Sequence, residues 1–209
     1  MKRKGPVADP PQINERSVEI PWILEHVPRF GTVLDIGSCE ATYLADLQRL
    51  GLTVHALDPR GCEDSIPAGV VFHRTSIIGN DLPRGSFDTV LLISTLEHIG
   101  LPYYDQPAFA GGDRLTLAEV RELLRPEGLL LASVPAGQSK VASWYRQYSP
   151  ADLEELFRHW ICEVEYRALV GTAYEPIPEQ DVVRYDYRDR HDLAMGAGAV
   201  ALIKAAVKS

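Results

Sequence analysis

Val33-Leu-Asp-Ile-Gly-Ser-Cys-Glu-Ala-Thr42 is the stretch that decides the fold. Thr32 to Ile36 is a short apolar run closed by Gly37, the pattern of a buried strand. A turn of small residues follows. Tyr43, Leu44, Leu47 and Leu50 then recur at helical spacing, with Gly51 as a C-terminal stop. A strand, a small-residue turn and a helix open the kind of parallel sheet whose ligands bind outside the carboxyl ends of the strands. Gly37 allows a ligand to meet the backbone with no Cβ in the way. Asp58 closes the second apolar run, Val54 to Leu57, and stands 23 residues after Asp35. An acid there is placed to hold the two hydroxyls of a ribose.

The glycine pattern narrows the ligand. G-x-G-x-x-G is absent, because Cys39 and Thr42 stand where the later glycines belong. A pyrophosphate needs that glycine-lined approach to a helix N-terminus, so a dinucleotide is excluded. No G-x-x-x-x-G-K-[ST] occurs, which excludes a nucleotide triphosphatase loop. Acid-Ile-Gly suits a ligand with a ribose and a cationic amino-acid end.

Outward from this unit, strands and helices alternate. Val70 to His73 and Phe87 to Ile93 read as strands three and four, and Leu129 to Val134 as strand five. Val18, Trp22, Ile23 and Val27 form an apolar helical face over Glu15–Val27, with Pro21 expected near a helix start or at a break. Trp22 is expected in the core. Leu117, Val120, Leu123 and Leu124 share one side of a helix that Pro126-Glu-Gly128 interrupts. Ser149-Pro-Ala-Asp152 opens another helix, with Ser as cap, Pro in the first turn and an acid after it. Cys162–Val170 and Ala197–Val207 have no helix between them and are expected as an antiparallel edge pair. The sum is a mostly parallel sheet covered on both faces.

The chain has 209 residues, 45% hydrophobic and 24% charged, as in ordinary globular proteins. It reads as one domain over 15–209, with a flexible tail over 1–14 and a substrate-side insertion over 171–193. No apolar run reaches the roughly 20 residues of a membrane span, and the basic start leads into Pro and polar residues without a signal-like stretch. A cytoplasmic protein is expected, with Cys39, Cys62 and Cys162 as free thiols. No Cys-x-x-Cys pair suggests zinc. Net charge is −8, with 21 Lys and Arg against 29 acids, which disfavours a nucleic-acid backbone as partner.

Val33–Leu44, Val54–Arg60, Gly85–Gly100 and Leu117–Pro135 resemble, in order and interval, the successive motifs of class I S-adenosylmethionine-dependent methyltransferases. The resemblance implies a Rossmann-like, doubly wound, seven-stranded sheet in a three-layer sandwich, and S-adenosylmethionine as cofactor. It also implies that Asp35 and Gly37 border the methionine moiety and that Asp58, beside Pro59, bonds the ribose. Cys39 and Ala41 replace the later glycines of the family motif with small residues. Where the family often has an acid for adenine, this chain has Ser76 and Ile77, so backbone groups are expected to take that contact. Glu15–Trp22 and Tyr103–Arg114 further resemble a bacterial subgroup associated with sugars and secondary metabolites.

Methyl transfer to a hydroxyl requires alignment and removal of a proton. Ser94-Thr-Leu-Glu-His98 follows strand four and belongs at the rim of the site. His98 is the candidate base and Glu97 its orienting partner. Some relatives use a Glu-His pair for a divalent ion together with an acid three residues earlier. Here that position is Ser94, and no metal is expected. Tyr103, Tyr104, Asp105, Gly111, Gly112, Asp113 and Arg114, with Tyr174, Tyr185, Tyr187, Arg188, Arg190 and His191, suit a small polar acceptor such as a sugar or phenol. The expected activity is O-methylation of a small metabolite. A domain that binds cofactor or partner without catalysis, and a nucleic-acid methyltransferase, are the alternatives.

Overall fold

The central sheet has eight strands: β1 (Thr32–Ile36), β2 (Thr53–Leu57), β3 (Val71–His73), β4 (Phe87–Ile93), β5 (Leu124–Ala136), β6 (Trp160–Val170), β7 (Ala173–Pro176) and β8 (Ala199–Val207). The computed structural model describes residues 13–102, 108–188 and 196–208. Strand order is β3-β2-β1-β4-β5-β8-β6-β7. The first five strands are parallel, whereas β8 runs antiparallel to both β5 and β6. The order reverses at β1, which lies between β2 and β4, so the switch point is at the carboxyl end of β1.

The near-continuous apolar runs are explained by burial on both faces. Leu34, Val90, Leu92, Leu130 and Ile203 face one core, with Leu117, Val120 and Leu153 packed on them. Val33, Val54, Leu91, Leu131 and Leu202 face the other, with Trp22, Ile23, Leu44 and Leu47. Helices α1 (Arg16–His26) and α2 (Leu44–Arg49) thus cover one face, and α3 (Gly112–Leu123) and α4 (Pro150–Leu156) the other. Trp22 is a core residue, as its position in the apolar stripe implies. Ser149 caps α4: its Oγ accepts from the Asp152 N–H, and the Asp152 carboxylate accepts from the Ser149 N–H.

Two expectations are corrected here. The sheet has eight strands rather than seven, and the extra one, β7, lies inside the stretch expected as a polar insertion. Gly171, at φ +63, turns the chain back so that Ala173–Pro176 pairs with Arg167–Val170, which makes β7 the edge. The expected antiparallel pairing of β6 and β8 is present, with β8 between β5 and β6 and β7 outside them. Pro21 neither starts nor breaks α1, which runs through it. Ser17, whose carbonyl loses its partner, and Pro21 are both exposed, so water can serve that carbonyl. Residues 1–12 of the expected tail lie outside the described residues. Asn14 already belongs to the helix start, its Oδ1 accepting from the Arg16 N–H at 3.2 Å.

Replacing the cap, Ser149→Ala, is expected to lower stability by about 1 kcal/mol, read as a lower urea midpoint with an unchanged slope.

Candidate active site

The pocket opens at the carboxyl ends of β1, β2 and β4, and its wall includes Arg16, Gly37, Asp58, Ile77, Ser94 and His98. Gly37 adopts φ +85, and a Cβ there would stand 2.5 Å from Thr95 Oγ1. The glycine is therefore required both by its left-handed turn and by the loop after β4, which packs against it. The turn is pinned from beneath. The Gly37 N–H donates to the Leu57 carbonyl at 2.8 Å, Ser38 Oγ donates to the Asp35 carbonyl at 2.7 Å, and the Leu57 N–H donates to Ser38 Oγ at 3.1 Å.

Asp35 is buried. Its Oδ1 accepts from the Tyr43 hydroxyl at 2.6 Å, while Oδ2 has no partner. Burial raises its pKa to about 6, against the lowering effect of the Tyr43 and Ser38 hydrogen bonds. An orphaned buried carboxylate oxygen under the cofactor turn fits a ligand with a cationic amino group.

Asp58 is more heavily engaged. Its Oδ1 accepts from the Arg60 N–H at 2.9 Å and from Arg60 Nε at 3.0 Å. Its Oδ2 accepts from an Arg60 terminal nitrogen at 3.0 Å and from the Cys39 N–H at 3.1 Å. Pro59, Ser76 and Ile77 line the same pocket. Ser76 Oγ accepts from the Ile78 N–H at 3.2 Å, so its side chain shapes the turn.

The free-thiol expectation is corrected for two of the three cysteines. Cys39 and Cys62 form a disulfide, with Cα atoms 5.6 Å apart, and Cys162 alone is free. β1 and β2 are neighbouring parallel strands, so the loops leaving their carboxyl ends meet even though the cysteines are 23 residues apart. The cysteine argument for a reducing compartment falls with it. Cys39, Cys62 and Asp58 hold their ligand atoms within 4.8 Å of one another, but the two sulfurs are bonded to each other.

On the acceptor side, Ser94 takes φ +44, uncommon for a residue with a Cβ, at the end of β4. Its N–H donates to Ser133 Oγ and its own Oγ donates to Glu19 Oε1 at 2.7 Å. His98 Nδ1 lies 2.6 Å from the Trp144 carbonyl. A carbonyl can only accept, so Nδ1 carries the proton and Nε2 keeps its lone pair. Burial lowers the His98 pKa below its usual 6.5, against the raising effect of the Trp144 contact. Glu97 does not hydrogen-bond the ring: its Oε1 is 3.8 Å from His98 Nε2, and the carboxyl is buried.

The structure thus brings Gly37, Asp58, Pro59, Ser76, Ile77, Ser94 and His98 to one crevice, with Asp35 buried and not among the residues that line it. Cys39 and Glu97 do not line it: the Cys39 N–H donates to Asp58, and the buried Glu97 lies beside His98. Arg16, Thr95 and Arg60 line the same crevice, with Glu19 and Tyr43 bonded to its residues; the sequence reading gave none of them a role. Arg16 and Glu19 reach the site from α1 across the sheet. Tyr103, Tyr104, Asp105, Arg190 and His191 lie outside the described residues. Tyr174 donates to the Ala197 carbonyl at 2.5 Å, and Asp113 lies 3.8 Å from Arg146. Among the described residues no helix is long and apolar enough to cross a membrane.

With the switch-point crevice and its paired acids in place, family comparison is direct. A methyltransferase-domain family model matches residues 19–173, and the chain belongs to that family. S-adenosylmethionine is its cofactor. Comparison with curated proteins gives no match.

Among solved structures, the chain is similar to 1,6-didemethyltoxoflavin-N1-methyltransferase of Burkholderia thailandensis, crystallised with 1,6-didemethyltoxoflavin and S-adenosylhomocysteine. Identity is 19%, coverage 91% of this chain and 77% of that one, and the TM-score 0.62. It is also similar to a Haloferax volcanii putative methyltransferase in complex with the Trm112 activator, at 15% identity, 91% and 89% coverage and TM-score 0.63. An Archaeoglobus fulgidus S-adenosylmethionine-dependent methyltransferase matches at 13% identity, 92% and 95% coverage and TM-score 0.62. At these identities the likeness concerns the fold.

Thiol titration of the unfolded, unreduced protein is expected to find Cys162 alone, with Cys39 and Cys62 reacting only after reduction. Three reactive thiols without reduction would show that the bridge does not form.

Proposed function

We propose that this protein transfers a methyl group from S-adenosylmethionine to a small polar metabolite, at a hydroxyl that loses its proton to His98. The observation that carries this reading is the continuity of one pocket from Gly37 and Asp58, past the ends of β1 and β2, to His98 after β4. The cofactor supplies an electrophilic methyl on a sulfonium; the chain must align the acceptor and take its proton. Asp35 Oδ2 is suited to the cationic amino group of the cofactor and Arg16 to its carboxylate, while Gly37 keeps the turn open beside them. Asp58 serves the ribose, and apolar Leu57 and Ile77 flank the adenine. His98 has its Nδ1–H held by Trp144, so Nε2 accepts a proton from the acceptor hydroxyl.

A second reading, a domain that binds without catalysis, draws support from Asp58. A carboxylate has about four acceptor positions. Arg60 and the Cys39 N–H make four hydrogen bonds to Asp58, so a ribose must displace at least one of them. Calorimetric titration with S-adenosylhomocysteine, alongside turnover on a panel of hydroxylated metabolites, separates the two readings. Binding with turnover supports the enzyme, and binding with no turnover across the panel supports the second reading.

Asp58→Ala is expected to weaken S-adenosylhomocysteine binding on the order of 10-fold or more, the worth of hydrogen bonds to a charged group. His98→Ala is expected to lower kcat by about 100-fold or more with cofactor binding unchanged. Because the His98 pKa lies below 6.5, its imidazole is neutral and basic at pH 7. The logarithm of kcat/KM should rise with pH to that pKa and then level, and His98→Ala should remove that acidic limb. An unchanged limb in the variant would take His98 out of the mechanism.

A further inference from the structure

Helix α1 precedes the strand–turn–helix unit of the crevice, yet it brings one side chain into the wall: Arg16 lines it together with Gly37 and Ser94. What holds that cation there is Glu19, one turn further along the same helix. Glu19 is fully buried, and its two carboxylate oxygens have different tasks. Oε1 accepts from the Ser94 and Ser133 hydroxyls at 2.7 and 2.6 Å. Oε2 accepts from Arg16 Nη1 at 3.3 Å, and the same nitrogen donates to the Ile93 carbonyl at 3.3 Å. The anchoring hydroxyls are fixed in turn. Ser133 pairs with Ile93 across β5 and β4, and its Oγ also accepts from the Ser94 N–H at 3.0 Å.

Stability does not account for this arrangement. A buried ion pair gives little net stabilisation over well-packed apolar side chains of similar volume, because both charges must leave water. The pair is also lopsided: the Glu19 side chain is 0% exposed, whereas that of Arg16 is 32% exposed and lines the crevice. Burial works against the Arg16 charge, and the Glu19 carboxylate outweighs it, so the Arg16 pKa lies above the usual arginine value. A guanidinium carries five N–H donors in a planar fork. Nη1 is occupied by Glu19 and Ile93, while Nε and Nη2 make no hydrogen bond among the described residues. Two parallel donors on one edge of a guanidinium match a carboxylate. S-adenosylmethionine has one carboxylate, at its methionine end.

We propose that Glu19 is a positioning residue for the cofactor: it fixes the Arg16 guanidinium so that Nε and Nη2 receive the cofactor carboxylate. The inference rests on the methyltransferase reading and adds to it a residue that is not part of the crevice wall. The anchoring runs from β5 through Ser133 and Glu19 to Arg16. Ser94 shares the same Glu19 oxygen, which ties the methionine end of the cofactor to the start of the loop that carries His98.

The test is calorimetric titration with S-adenosylhomocysteine and with S-adenosyl-3-thiopropylamine, the same thioether without its carboxylate. The unmodified protein should bind S-adenosylhomocysteine about tenfold more tightly or better, the worth of hydrogen bonds to a charged group. Glu19→Gln, which keeps the shape and removes the charge, should abolish that preference by weakening S-adenosylhomocysteine alone. Arg16→Gln should do the same, and the double variant should bind no more weakly than Arg16→Gln, since the two residues act as one unit. Ser133→Ala keeps every charge and removes one anchoring hydroxyl. It should reduce the preference about threefold, and it carries the test if Glu19→Gln does not fold. Equal affinities in the unmodified protein, an undiminished preference in Glu19→Gln or Ser133→Ala, or a loss shared by both ligands, which marks a merely structural role, would overturn the proposal and leave the cofactor reading standing. Failure of the unmodified protein to bind either ligand would instead remove the reading beneath it.

Discussion

The close approach of Gly37 to Thr95 is the constraint on which the site depends. Parallel pairing of β1 with both β2 and β4 brings three strand ends together, and the loops that leave them must share a small volume. A side chain at position 37 would meet Thr95 at 2.5 Å and force the loop after β4 outward. That loop carries Ser94, Glu97 and His98, so a displaced turn would separate the cofactor side from the acceptor side. The Ser38 hydroxyl holds the same turn to the end of β2. One backbone conformation thereby sets the distance between the two halves of the pocket.

Around this turn the chain has concentrated polar groups that a stable core would avoid. Asp35 and Glu97 each bury a carboxylate oxygen with no partner, and Ser94 holds a left-handed backbone. Such features persist where the surrounding structure over-determines them, and they cluster at functional sites. Asp35 lies buried under the turn after β1, and Glu97 is buried beside His98. The Cys39–Cys62 bridge adds a covalent brace between the loops after β1 and β2, at the place where the family motif has a second glycine.

Much of this was legible in the sequence because periodicity and punctuation are local. Phe87 to Ile93 reads as a buried strand from its apolar run alone, and Ser149-Pro150 announces a helix start by capping chemistry that the structure realises. Asp35, Gly37 and Asp58 could be placed because strand ends in a parallel sheet converge by topology. β7 was not legible. Ala173-Tyr-Glu-Pro176 has no apolar alternation, and it becomes a strand only because Gly171 returns the chain along an edge with unpaired backbone groups. Pro21 misleads for a related reason, since its cost depends on whether water reaches the Ser17 carbonyl.

The sequence by itself determined the alternation of strands and helices and the switch-point turn, since these follow from short-range pattern. Only the tertiary structure decided that Cys39 meets Cys62, that Arg60 covers Asp58, and that Glu15, Arg16 and Glu19 stand beside Glu97. The physical reason is separation along the chain. Glu19 and Ser133 are 114 residues apart, and no local rule relates them until β4, β5 and α1 pack together and exclude the water that would otherwise have kept their charges apart.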